Sequence, residues 1–143
     1  MHWTDDGIVL SARRHGENSV VVQLLTRGHG RHAGLVRGGQ GKRARGIYQP
    51  GNLVAARWSA RLPEHLGNYT CELVDAHAAR VFDDPDRLAA LSAAAALAET
   101  ALPEREPHAA CFEGFLALLD ALTGEHWAEV TVRWELALLA ELG

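Results

Sequence analysis

The chain has 143 residues, 48% of them hydrophobic, and a formal net charge of −4, which is enough apolar material for one good core and excludes a disordered chain. No apolar run approaches the roughly 20 residues of a membrane-spanning helix, and Met1 to Asp6 lacks the basic start and apolar centre of a secretory signal, so the sequence reads as cytoplasmic. The near-neutral total conceals a split: residues 1–80 carry eleven basic against six acidic side chains, and residues 81–143 three against twelve, the pattern of a basic module for nucleic acid beside an acidic one with another task.

From Gly7, Ile8, Leu10 and Ala12 alternate with Val9, Ser11 and Arg13, the period of a half-buried strand. Ser19 to Arg27 reads as a second strand with Val20, Val22 and Leu24 on its core face, Gly28-His29-Gly30 as a hairpin loop, and Arg31 to Arg37 as a third strand. The stretch that follows, to Gly46, is a glycine-spaced basic loop in which Arg37, Lys42, Arg43 and Arg45 fall within nine positions. Guanidinium grips phosphate in a bidentate fork, and ten of the eleven basic residues in the first half are Arg, so the loop is the leading candidate for a polyanion.

Pro50-Gly51 suits the middle of a type II turn. A fourth strand, Leu53 to Leu62, puts Val54, Ala56, Trp58, Ala60 and Leu62 on one face and Arg57 and Arg61 on the other; a fifth, Asn68 to Val74, has Tyr69, Cys71 and Leu73 in register. Five strands without a helical crossover predict a small antiparallel barrel or sandwich. Near Phe82 the period changes: Asp84 and Pro85 open a helix that stops before Pro103, a second helix runs from about Pro107 to Gly124, and a third from about His126 is apolar nearly all round, with Val132, Leu136 and Leu139 off its core face. The predicted fold class is α+β, with domains at 1–80 and 81–143.

Arg57, Arg13 and Arg14 extend the candidate DNA-binding set, and Tyr48 is placed either to stack on a base or to act as a core lid. The catalytic and metal sets are empty, and so is the cofactor set. Gly41-Lys42 lacks the glycine and hydroxyl residues of a phosphate-binding loop, His29 and His32 have no third ligand nearby in sequence, and Cys71 and Cys111, forty positions apart, read as small core residues.

The runs Thr4 to Leu10, Arg13 to Glu17, Leu25 to Gly38, Leu53 to Trp58 and Leu66 to Thr70 together resemble the RecO family of DNA repair proteins. That resemblance implies an OB-fold barrel of five strands followed by a helical domain that continues beyond the length present here. It also implies a recombination mediator that binds single- and double-stranded DNA, anneals complementary strands without ATP, engages the single-stranded DNA-binding protein, and works with RecR to load the recombinase. A second function class stays open on the residues alone: an interaction scaffold whose oily third helix docks a partner peptide or helix.

Overall fold

The computed structural model describes residues 1–143. Strands β1 (His2–His15), β2 (Ser19–Thr26), β3 (Gly30–Val36), β4 (Leu53–Ser59) and β5 (Asn68–Asp75) close in the order β1-β2-β3-β5-β4. Closure depends on the length of β1, whose first half pairs with β4 and whose second half pairs with β2, with a register shift between Val9 and Ser11 where it leaves one partner for the other. The pairing is antiparallel except at the β3–β5 seam, which rests on one parallel partnership, Leu35 with Asn68. The fold is α+β, as the sequence predicts, and that seam corrects the all-antiparallel expectation.

Alternation works as expected in β2 and β4. Val20, Val22 and Leu24, with Val54, Ala56 and Trp58, fill the barrel around Val9, each large one contributing about 1.5–3 kcal/mol by leaving water. It fails in β1, where Ile8, Val9 and Leu10 are all buried, because the strand is covered on both faces: Val9 points into the barrel, and Ile8 and Leu10 join the helical core. It fails at strand ends too. β4 stops at Ser59, so Leu62 stands exposed, and Leu73 and Ala12, expected inside, face solvent. At one end of the barrel Trp3, His32, Trp58 and Tyr69 pack ring against ring, and the Tyr69 hydroxyl donates to the His32 carbonyl at 2.9 Å. Gly34 makes room for this plug, since a Cβ there would lie 2.4 Å from the Tyr69 ring.

Helices α1 (Lys42–Ile47), α2 (His77–Val81), α3 (Pro85–Ala101), α4 (Ala109–Ala121) and α5 (Trp127–Leu142) complete the chain. Neither α1 nor α2 is expected from the sequence pattern. In α3, Asp84 caps the first turn by accepting from the Arg87 N–H at 3.2 Å, and Pro85 follows at the first helical position. Ala94, Ala95 and Ala98 are buried, so α3 lies close against β1, while Phe112, Phe115 and Leu118 of α4 and Trp134 and Leu138 of α5 fill the layer behind it. No helix is long and apolar enough to cross a membrane. The outer face of α5 is uncovered: Val132, Leu136 and Leu139 are each more than half exposed.

Candidate nucleic-acid interface

The basic stretch is not a free loop. Its second half winds into α1, six residues with none buried, and three contacts hold that helix in place. Asn52, only 2% exposed, donates from Nδ2 to the Gly46 and Ile47 carbonyls at 3.1 Å each, satisfying the orphan end of the helix. Gln49 donates to the Arg45 carbonyl at 2.7 Å. At the other end, Gln40 donates from Nε2 to the Gly16 and Ser19 carbonyls at 3.0 and 2.8 Å and from its backbone to Asn18 at 3.2 Å, which ties the β1–β2 loop to the approach of α1.

On one side of α1 a groove of about 730 Å³ runs between the end of β3 and the start of β5. Arg37, Lys42 and Arg43 line it, over a floor that includes Leu35, Asn68, Thr70 and Cys71. On the other side lies a smaller groove of about 270 Å³ with Arg14, Gln40, Arg45 and Gln49 on its walls. Arg14, Arg37, Lys42, Arg43 and Arg45 are all exposed, and none forms an ion pair within the chain. The sequence placed Arg45 with Arg37, Lys42 and Arg43; the helix turns it to join Arg14.

Other basic residues of the first half meet a different fate. Acidic residues of the helical layer reach back to the barrel: Glu99 holds Arg13 in a bidentate pair at 2.6 and 3.0 Å, Glu113 pairs with Arg27, and Glu104 approaches Arg31 at 3.6 Å. The cations on the α1 side stay unpaired, as do Arg57 of β4 and Arg61 just beyond it.

The family described as recombination protein O, N terminal, matches residues 1–77, and its C-terminal counterpart matches residues 83–143. The DNA repair protein RecO of Rhodospirillum centenum is 63% identical over the whole chain, that of Rhodospirillum rubrum 58%, and that of Nitrobacter hamburgensis 52%. The chain belongs to the RecO family. It spans 57%, 59% and 56% of those three relatives' lengths.

Within this RecO-family chain three of the expected site residues take other positions. Arg13 is neutralised by Glu99, whose carboxyl that hydrogen bond holds below the usual carboxylate range against the opposing effect of burial. It clamps α3 to β1 through a helix residue 86 positions away in sequence. Tyr48, 6% exposed, turns its ring into the barrel core beneath both grooves, so it is a lid with no face open to a base. Burial raises its hydroxyl and pushes the neighbouring Cys71 thiol up to about 11, so both stay protonated at neutral pH. Arg57 faces a separate shallow surface with Thr4, Asp5, Asp6, Arg27 and Glu72, away from both grooves.

Gln40, Asn52, Asn68 and Thr70 were missed. Gln40 and Asn68, beside glycines, read as ordinary turn or strand-end residues, Thr70 lies inside a strand, and only Asn52, directly after Pro50-Gly51, carried a local signal of special geometry. His108, Cys111 and Glu141 bring one potential ligand atom each to within 4.8 Å of one another; none of them lines either groove.

Proposed function

We propose that this chain is the DNA-binding part of a recombination mediator in DNA repair, gripping the phosphate backbone along the groove of Arg37, Lys42 and Arg43. The observation that carries this reading is the pairing pattern: the helical layer's carboxylates take Arg13, Arg27 and Arg31 and leave the cations around α1 free. Proteins of the same family from Rhodospirillum are named DNA repair proteins, which supports the same role.

The groove's chemistry suits charge recognition more than base recognition. Its two tyrosines, Tyr48 and Tyr69, are 6% and 4% exposed, so no aromatic platform is offered to a base, and the bases of a bound strand stay open to a complement. Neutralised phosphates repel less, and annealing then proceeds without ATP. On this reading the protein is a binding protein and not an enzyme, residues 1–80 form the DNA module, and residues 81–143 begin the module that meets RecR, the single-stranded DNA-binding protein and the recombinase-loading step. The test is oligonucleotide binding across a salt series. Three neutralised phosphates give a slope of log K on log salt of about −2 for a single strand, and the triple variant Arg37→Ala, Lys42→Ala, Arg43→Ala loses that much of the slope. An unchanged slope and affinity in the triple variant refutes the assignment.

A second reading, a docking scaffold, is favoured by the exposed row Val132, Leu136 and Leu139 on α5, spaced four and three apart as on a helix that meets a partner. Light scattering of this chain beside a longer one from the same family separates the two. Self-association that vanishes in the longer chain supports an intramolecular cover and removes the case for a foreign partner.

A further inference from the structure

The two grooves share a wall. Helix α1 stands between them, with Arg37, Lys42 and Arg43 toward one and Arg45 toward the other, where Arg14 faces it from the end of β1. Tyr48 underlies both. The second groove is built from two separate chain segments, and the three Gln40 hydrogen bonds to Gly16, Asn18 and Ser19 fix their spacing. Its polar lining is entirely cationic or neutral, with no carboxylate.

We propose that α1 is a ridge between two single-strand lanes, the groove of Arg14 and Arg45 receiving the sugar-phosphate backbone of a second strand while Arg37, Lys42 and Arg43 hold the first. This rests on the DNA-binding reading above and adds a second site to it. An α-helix with its side chains is about 10–12 Å across, and the major groove of B-DNA is about 12 Å wide. Backbones held on the two sides of α1 therefore stand about as far apart as the strands flanking that groove. Five unpaired cations around one short helix screen the repulsion between them, and the buried Tyr48 leaves both sets of bases unstacked by protein and free to pair. The smaller groove has two cations to the other's three, so it binds more weakly and releases its strand more readily.

The experiment uses the full chain, an oligothymidine of about 12 nucleotides, within the span of one OB fold, and a pair of complementary oligonucleotides. Sedimentation of the wild type at low salt and excess oligothymidine should give two strands on one chain. The variant Arg14→Ala/Arg45→Ala should bind one, keep the tighter affinity within about threefold, and anneal the complementary pair at least tenfold more slowly. Both side chains are exposed and unpaired, and Ala favours a helix at position 45, so the variant folds. Saturation of the wild type at one strand per chain, two strands carried only by a dimer of chains, or an undiminished annealing rate in the double variant would each overturn the proposal. Loss of binding in the Arg37, Lys42, Arg43 variant together with normal annealing in the Arg14, Arg45 variant refutes the second lane and leaves the first standing; intact binding in the former refutes the DNA assignment itself.

Discussion

Replacing Asn52 by Ala should loosen both α1 and α2, because one buried amide serves the two helices. Its Nδ2 donates to the Gly46 and Ile47 carbonyls at the end of α1, and its Oδ1 accepts from the Ala78 N–H at 3.1 Å, at the start of α2. Truncation leaves two carbonyls and one N–H short of a partner around a side chain that is 2% exposed. At about 1 kcal/mol for each lost hydrogen bond the destabilisation is about 3 kcal/mol, and at about 3 °C per kcal/mol for a chain of this size the melting midpoint falls by about 9 °C. Urea unfolding followed by tryptophan fluorescence measures it. Asn52→Asp sharpens the test: the carboxylate still accepts from Ala78 but turns a second oxygen toward two carbonyls, so at neutral pH it should be no more stable than the Ala variant. It should recover as acid protonates it and one O–H can donate. A loss below about 1 kcal/mol in the Ala variant, or an Asp variant equal to wild type at neutral pH, would refute the account of how α1 is held.

Three further expectations follow from particular contacts. Burial among Trp3, Trp58 and Tyr69, reinforced by the nearby Arg105 charge, drives the His32 imidazole down to about 4 from its usual 6.5. The unfolded chain then takes up a proton that the folded one refuses, so this contribution is whole above about pH 6.5 and declines toward pH 4, by about 3 kcal/mol at the acid end; urea midpoints along that range should show a slope that His32→Phe largely removes, and equal slopes would count against it. Arg13→Ala should cost about 1 kcal/mol of stability by breaking the bidentate pair with Glu99 while leaving oligonucleotide affinity within about twofold, and a large fall in affinity would return Arg13 to the DNA contacts. Gly30→Ala combines a left-handed φ of 70° with a Cβ placed 2.2 Å from the Glu106 carbonyl oxygen, so the α3–α4 linker must shift at a cost of about 2–4 kcal/mol; a melting point equal to wild type would show that the linker does not pack there.

Local chemistry determined much of this protein. Alternation placed β2 and the inward residues of β4 because a strand's faces repeat every two positions whatever lies beyond it, the Gly28-His29-Gly30 turn placed β3, and Asp84-Pro85 marked the start of α3 because capping involves neighbours in sequence. The clustering of Arg37, Lys42, Arg43 and Arg45 was equally visible. What the chain order could not reveal is which cations stay free. Arg13, Arg27 and Arg31 look no different from Arg14, Arg37 and Arg45 along the sequence, yet Glu99, Glu113 and Glu104, more than 70 residues away, claim only the first three. Whether a guanidinium meets a carboxylate or water depends on which helix packs over which strand. For the same reason β1 buries both its faces, Tyr48 turns inward, and Arg45 joins Arg14 across α1, arrangements set by long-range packing and not by the spacing of residues.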